Sequence, residues 1–329
     1  MEYSEFNTDK IFSISNHAEF EETSLEVFLF QYNNCPFYNK FCSTRHINPD
    51  KVSTIQQIPF LPIQFFKNED ILRNGHQAQV VFTSSGTTGM TRSRHLVSDT
   101  NIYERSFKKC FEYFFGNPET YTILALLPSY LERKGSSLVY MTQKLIDLSG
   151  QKDGGFYLYN HTELAKKLEE LDNAKQPTIL FGVSFALLDF TSKFKLKLNH
   201  CKIIETGGMK GHGKELTREE LHETLRKSLG VETIYSEYGM TELLSQAYTI
   251  GNTRFKCPPW MKTLARDIYD PYNYVPSGIT GGINIIDLAN INSCAFIETE
   301  DLGKVFDDGT FEISGRYDKS ELRGCNLMI

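Results

Sequence analysis

The sequence has no basic surplus, no long apolar run and no cysteine pair at metal-binding spacing, and each absence closes off a class of function. Lys plus Arg number 35 against 41 Asp plus Glu, for a net charge of −6 and a pI near 5.8. A protein that grips a nucleic-acid backbone usually carries a basic excess, so nucleic acid is not expected as the main partner. The most apolar stretch, Thr178–Phe190, falls short of the roughly 20 residues that span a bilayer, so no transmembrane segment is expected. The opening residues MEYSEFNTDK lack the positive flank and apolar run of a secretory signal. The 7 Cys (Cys35, Cys42, Cys110, Cys201, Cys257, Cys294 and Cys325) are odd in number and contain no CxxC. That disfavours a disulfide framework or a four-ligand zinc site and fits a reducing cytoplasm.

What is present is an ordinary globular mixture. The 329 residues are 40% apolar and 13% aromatic, with 24 Phe and 17 Tyr against a single Trp. This is enough for a large core in two domains or one large one. No internal repeat, low-complexity run or flexible linker interrupts it. Residues 1–78 read as an N-terminal helical and loop segment, packed on a core spanning residues 79–329. The stretch Pro59-Phe-Leu-Pro62 is the clearest helix breaker in that first segment.

From Gln79 the texture changes. Gln79–Thr83 reads as a buried strand, followed by a second strand at His95–Val97. Ser98 or Asp99 can cap a helix that puts Tyr103, Phe107, Cys110, Phe111 and Phe114 on one face. Further strands are expected at Thr122–Leu127, Thr178–Phe181, Cys201–Glu205 and Val231–Tyr235. Thr217 and Glu220 form a capping box for a helix with Leu221, Leu225 and Leu229 at spacing four, ended by Gly230. Past Met240 the helical period fades into turns and short strands. The order predicts an α/β core with a β-rich appendage.

Four segments can carry chemistry. Ser84-Ser-Gly-Thr-Thr-Gly89 follows a strand and has no bulky side chain, so its N–H groups and hydroxyls can wrap phosphate oxygens. It lacks the Lys and the spacing of a Walker A loop. Glu237-Tyr-Gly-Met-Thr-Glu242 also follows a strand. It offers a Tyr face for a purine, a Thr donor for a phosphate and a carboxylate for a hard cation. Thr299-Glu-Asp-Leu-Gly303 places Asp301 on an expected turn, where a carboxylate can accept both hydroxyls of a ribose. Gly315-Arg-Tyr-Asp318 and Glu321-Leu-Arg-Gly324 add two Arg and an Asp. Seen singly, each is an ordinary turn.

In this order and approximate spacing, the four segments resemble the adenylate-forming superfamily of acyl-CoA synthetases, luciferases and peptide synthetases. The resemblance runs from about residue 80 to the last residue. It implies the layered α/β fold of that superfamily's large N-terminal domain, with a β-rich appendage and the small C-terminal lid domain lacking. Leu127-Pro-Ser-Tyr-Leu-Glu-Arg-Lys-Gly135, Glu205-Thr-Gly-Gly-Met-Lys-Gly211 and Cys257-Pro-Pro-Trp260 look like the acyl-protein synthetase (LuxE-type) branch. The implied activity is a ligase: ATP-dependent activation of a fatty or similar carboxylic acid to acyl-AMP, then acyl transfer to a protein thiol. Its implied cofactors are ATP and Mg²⁺, and its implied partner is an acyl reductase or acyl-carrier protein.

The resemblance also implies roles. Ser84, Ser85, Gly86, Thr87, Thr88 and Gly89 would cradle the phosphates, and Thr241 would touch the α-phosphate. Glu242 would hold Mg²⁺. Tyr238 would stack on adenine, with Gly207 and Gly208 on its other side. Asp301 would take the ribose hydroxyls with Arg316 nearby, and Cys325 would carry the acyl group. Two departures stand out. The phosphate loop continues into Met90-Thr-Arg-Ser-Arg94, where the superfamily usually has a Lys, so Arg92 or Arg94 is the available substitute. The catalytic Lys of the lid domain is also expected to be lacking, leaving Lys210, Arg316 and Arg323 as cations.

Two rivals compete with this reading. One is a non-catalytic nucleotide-binding relative of the same fold. The other is a serine hydrolase using Ser184 of Gly182-Val-Ser-Phe-Ala186, for which no His follows His222. Ser184 reads more simply as a helix N-cap, and its loss is expected to matter little.

Overall fold

The computed structural model describes residues 5–84, 91–127, 135–207 and 216–317, and the chain separates into two compact units. One comprises residues 107–240 and 246–255; the other comprises residues up to 106, 241–245 and 256 onward.

The unit of residues 107–240 and 246–255 is a doubly wound α/β layer. Five parallel strands lie in the order Gly155–Tyr157, Thr122–Leu126, Thr178–Val183, Cys201–Thr206, Ile234–Tyr238. Numbered along the chain that order is 2-1-3-4-5, with Ala247–Thr249 added antiparallel at the end. Helices Ser137–Ser149, His161–Asn173, Ser184–Lys193 and Arg218–Leu229 fill the crossovers. The central strands Thr122–Leu126 and Thr178–Val183 are buried along their whole length. That is why they read as continuous apolar runs and not as alternating ones. In the last crossover helix the Thr217–Glu220 capping box is complete, and Gly230 closes the helix at φ +68°. The box contributes about 1 kcal/mol. Burying Leu221, Leu225 and Leu229 contributes about 2 kcal/mol each, so packing decides the helix and the cap sets its start.

The other unit is built on an antiparallel meander of Met261–Arg266, Thr280–Asp287, Phe296–Val305 and Phe311–Arg316. Leu61–Pro62 joins it in parallel beside Ile297 and Glu298, so the Pro-rich helix breaker is itself a short edge strand. Helices Thr8–Phe12, His17–Asn34, Pro36–Thr44 and Phe65–Asn68 supply most of the first segment. Phe28, Tyr38, Phe60 and Phe296 pack ring against ring beneath them. Val80–Thr83 pairs with Arg94–Val97 as a separate hairpin. The helix Thr100–Phe115 carries the chain between the two units, and Asp99 Oδ1 accepts from the Asn101 N–H at its start, as expected of a cap.

Three expectations change. The strand expected at Val231–Tyr235 begins at Ile234 and runs to Tyr238, because Ile203–Thr206 pairs with Ile234–Glu237. Glu237 and Tyr238 therefore sit in a strand and not in the turn after one. The Thr299–Gly303 segment lies inside the ten-residue strand Phe296–Val305, with a register shift between Leu302 and Gly303 where a turn was expected. Ser184 is the first residue of its helix and not the cap; Val183 holds that position, and the Ser184 hydroxyl is engaged elsewhere.

Candidate active site

In the antiparallel unit, Asp301 and Arg316 face each other across adjacent strands, and Arg316 Nε donates to Asp301 Oδ1 at 2.8 Å. Asp301 is buried, whereas the Arg316 side chain is 69% exposed. The carboxylate is thus fixed while the guanidinium faces outward. The strand beneath is held by Arg266, a fully buried guanidinium that sequence reading did not single out. It donates to Asn284 Oδ1, to the Thr299 carbonyl and to the Tyr317 hydroxyl at 2.7–2.8 Å. Any side chain at Gly282 would collide with the Arg266 fork, which explains that glycine.

Thr241 and Glu242 lie in the same unit, on a turn anchored from three directions. His95 Nδ1 donates to the Thr241 carbonyl at 2.8 Å, and Asn290 joins His95 Nε2 to the Glu242 carbonyl at 2.9 and 2.8 Å. Just beyond, Asp287 accepts the Leu244 and Ser245 N–H groups at 2.7 and 3.0 Å, together with the Ser245 hydroxyl. Burial drives the His95 pKa down to about 4, against the two hydrogen bonds that favour its charged form. Burial thus favours the neutral ring, whose single N–H ties the turn through the Thr241 carbonyl. Sequence reading missed His95 and Asn290, whose partners are 48 to 195 residues away along the chain.

Glu242 itself is buried, and burial raises its pKa above the ordinary value. A hydrogen bond from Ser93 and the charges of Arg316 and Lys67 pull in the opposite direction. Ser93 also meets Ser84: its N–H donates to Ser84 Oγ at 2.9 Å, and its carbonyl accepts from the Ser84 N–H at 3.1 Å. Ser84, Glu242, Asp301 and Arg316 are thus linked through Ser93 and the Arg316 charge. Ser85, Gly86, Thr87, Thr88, Gly89, Gly208 and Cys325 lie outside the described residues. Among the described residues no group of three or more His, Cys, Asp or Glu could enclose a metal ion. A single carboxylate such as Glu242 fits Mg²⁺ bound chiefly through substrate phosphates and water.

In the parallel unit, the carboxyl ends of the strands bring Ser184, Gly207 and Tyr238 to one edge. This is the edge at which open α/β sheets bind ligands. Gly207 adopts φ +67°, a left-handed conformation that glycine takes without strain. The buried ring of Tyr238 packs against Phe255 at 5.6 Å between centroids. Glu237 is buried beside it and bonded by the Thr206 hydroxyl. Burial lifts its pKa to about 7, and nearby Glu205 adds to the rise. The Glu237 carboxyl folds over Gly239 so closely that no side chain would fit there.

The serine-hydrolase rival does not match this geometry. His222 Nε2 contacts Ser236 Oγ at 2.9 Å, and the Ser184 hydroxyl bonds Glu205 and backbone carbonyls instead.

No protein-family profile matches the chain, and no curated protein sequence matches it. Solved structures do. The chain is similar to ATP-bound MatB from Rhodopseudomonas palustris, with a TM-score of 0.55 and 17% identity over 72% of this chain and 47% of that one. It is also similar to 2-hydroxyisobutyryl-CoA ligase in complex with 2-HIB-AMP and CoA, with a TM-score of 0.67 and 12% identity over 92% of this chain and 70% of that one. The chain thus spans about half the length of the MatB structures it matches. Among the described residues no helix is long and apolar enough to cross a membrane. The chain has the α/β fold of the large N-terminal domain of adenylate-forming ligases.

Proposed function

We propose that this protein activates a carboxylic acid with ATP, forming acyl-AMP, and passes the acyl group to a thiol in the manner of an acyl-protein synthetase. The observation that supports the reading most is the convergence of Ser84, Glu242, Asp301 and Arg316 in one unit, although they come from three distant stretches of sequence. In this reading the Ser84–Gly89 loop and Thr241 hold the phosphates and Asp301 accepts the ribose hydroxyls. Tyr238, Gly207 and Gly208 serve the adenine. Mg²⁺ held at Glu242 supplies charge neutralisation at the phosphates.

A carboxylate oxygen of the acid attacks the α-phosphorus. The bond from that phosphorus to its bridging oxygen breaks, and pyrophosphate leaves. A thiolate then attacks the acyl carbonyl, a thioester forms, and AMP departs with the electron pair. The protein's work in both steps is positioning and charge stabilisation.

The thiol we assign is Cys325. Burial raises the pKa of Cys35, Cys42, Cys201, Cys257 and Cys294, with Cys42 and Cys201 pushed up to about 12. Those five are poor thiolates. Cys110 is fully buried, with its thiol donating to the Gln246 carbonyl. Coenzyme A is the alternative acceptor, suggested by the CoA found in the 2-hydroxyisobutyryl-CoA ligase structure. The substrate assigned is a fatty acid, and an acyl reductase or acyl-carrier protein is the onward partner.

Intact-protein mass after incubation with ATP, Mg²⁺ and mixed fatty acids tests the assignment. The expected result is an ATP-dependent acyl adduct that disappears in Cys325→Ser. Acyl-CoA formation with no adduct would replace Cys325 by coenzyme A.

A further inference from the structure

Arg73 lies outside every helix and strand, yet its side chain is only 3% exposed. Its backbone is pinned, with the Arg73 N–H donating to the Asn292 carbonyl and the Ser293 hydroxyl to the Ile71 carbonyl, both at 2.8 Å. The guanidinium stands over the Phe30 ring, 5.0 Å from its centroid, a favourable seat for a cation. Arg73 also lines a cavity of about 390 Å³ that lies wholly within the antiparallel unit. That volume is in the range of small-molecule sites. Most of the remaining lining is polar, from His76, Gln79, Ser98, Asp99 and Asn101, so the space suits a polar molecule and not a fatty chain.

A guanidinium taken out of water must be met by an anion. Here Glu5 supplies one, fork on fork: Arg73 Nη1 donates to Oε2 at 3.2 Å and Nη2 to Oε1 at 3.4 Å. Both bonds are longer than the about 2.7–2.9 Å of a settled charge-assisted pair. The Glu5 side chain is 81% exposed, so the cation is the fixed half of the pair and the carboxylate the exposed half. The segment bearing Glu5 has other anchors. Phe6 packs edge-on against Phe30 at 5.4 Å, and Asp9 meets Arg105 at 2.5 Å. Glu5 can therefore turn outward without releasing that segment.

Asp99 also faces the cavity, with its Oδ1 accepting from the Asn101 N–H and side-chain amide at 2.9 and 3.0 Å. With Glu5 turned out, one positive and one negative side chain remain, so a monoanion meets less repulsion there than a dianion. Ser98, Gln79 and Asn101 offer hydrogen bonds to hydroxyls.

We propose that this cavity binds a small hydroxylated monocarboxylate, whose carboxylate takes the Arg73 fork in place of Glu5. The site is independent of the ligase reading.

Calorimetric titration of the full chain with glycerate tests it. The wild type is expected to bind glycerate saturably. Glu5→Gln removes the competing carboxylate from an exposed position and is expected to tighten Kd about tenfold, as when a plug present about nine-tenths of the time is withdrawn. Arg73→Lys keeps the charge, loses the fork and is expected to weaken Kd about tenfold. Glycerol, which has hydroxyls and no carboxylate, is expected not to bind. Absence of saturable binding in both wild type and Glu5→Gln would overturn the proposal, as would an unchanged Kd in Glu5→Gln. Glycerol bound as tightly as glycerate, or inorganic phosphate bound more tightly, would overturn the assigned chemistry. If Arg73→Lys fails to fold, the comparison of wild type with Glu5→Gln decides.

Discussion

The two units both bury carboxylates, and they hold them in different ways. In the parallel unit Glu205 and Glu237 are satisfied by hydroxyls from neighbouring strands and a helix, and Glu237 keeps its proton up to about pH 7. In the antiparallel unit Asp301 is answered by a guanidinium on the next strand. Asp287 there is answered by two backbone N–H groups and a hydroxyl. The difference follows from geometry. Parallel strand ends converge on one edge, where side chains can satisfy one another. In the meander the register sets Asp301 opposite Arg316 on the next strand, so that pair is held by charge, while Asp287 is held by neutral donors. Proton-held carboxyls respond to pH, and charge-held ones respond to removal of their partner.

The largest expected effect is at Glu242. Glu242→Ala is expected to reduce acid-dependent pyrophosphate exchange by about 100-fold or more while the circular dichroism spectrum is retained, since a preorganised charge at the reacting phosphates is commonly worth that much. Activity within a few-fold of wild type would remove Glu242 from the site. Next comes Asp287→Ala, which strips two buried N–H groups of their acceptor. A loss of about 3 kcal/mol is expected in urea unfolding. A loss below the resolution of that measurement would show that the turn beyond Glu242 holds without its clamp.

The pH experiment separates the units. Glu237 has a folded pKa of about 7, above its ordinary value of 4.5, so between those values the folded state holds a proton that the unfolded state releases. Its contribution to stability is full below pH 4.5 and is lost as pH rises toward 7. The swing is on the order of 3 kcal/mol if the whole shift is expressed. His95 acts in reverse. With its folded pKa lowered from 6.5 to about 4, its contribution is present above pH 6.5 and is lost as pH falls toward 4. Urea midpoints of Glu237→Gln against pH should lose the decline between pH 4.5 and 7 and keep the acid-side decline. An unaltered profile would mean that Glu237 titrates normally. The smallest effect is at the exposed cap: Thr217→Ala should cost about 1 kcal/mol. No change there would mean that packing of the three leucines alone sets the helix.

Much of the parallel unit was legible in the sequence, because its signals are local. The strands Thr122–Leu126 and Thr178–Val183 are unbroken apolar runs, and Thr217, Glu220 and Gly230 mark a helix within a few residues of one another. Asp301 and Arg316 were also legible as a pair, through motif order. What stayed hidden depends on partners far apart in the chain. His95 reaches Thr241 and Asn290, 146 and 195 residues away, and nothing in its strand distinguishes it from a surface histidine. Arg266 was not singled out, because its partners Asn284, Thr299 and Tyr317 lie 18 to 51 residues away along the chain. Ser184 was misjudged for a related reason. Its position at a helix start is a local fact, but its hydroxyl answers to Glu205 on another strand.

The most direct test of the central claim is incorporation of labelled pyrophosphate into ATP by the purified protein, with Mg²⁺ and a panel of carboxylic acids from short to long chain. Acyl-AMP formation is reversible, so the account requires labelled ATP to accumulate only when a cognate acid is present and to fall in Glu242→Ala. Exchange that proceeds without any acid, or none with any acid while ATP binds normally, would contradict it.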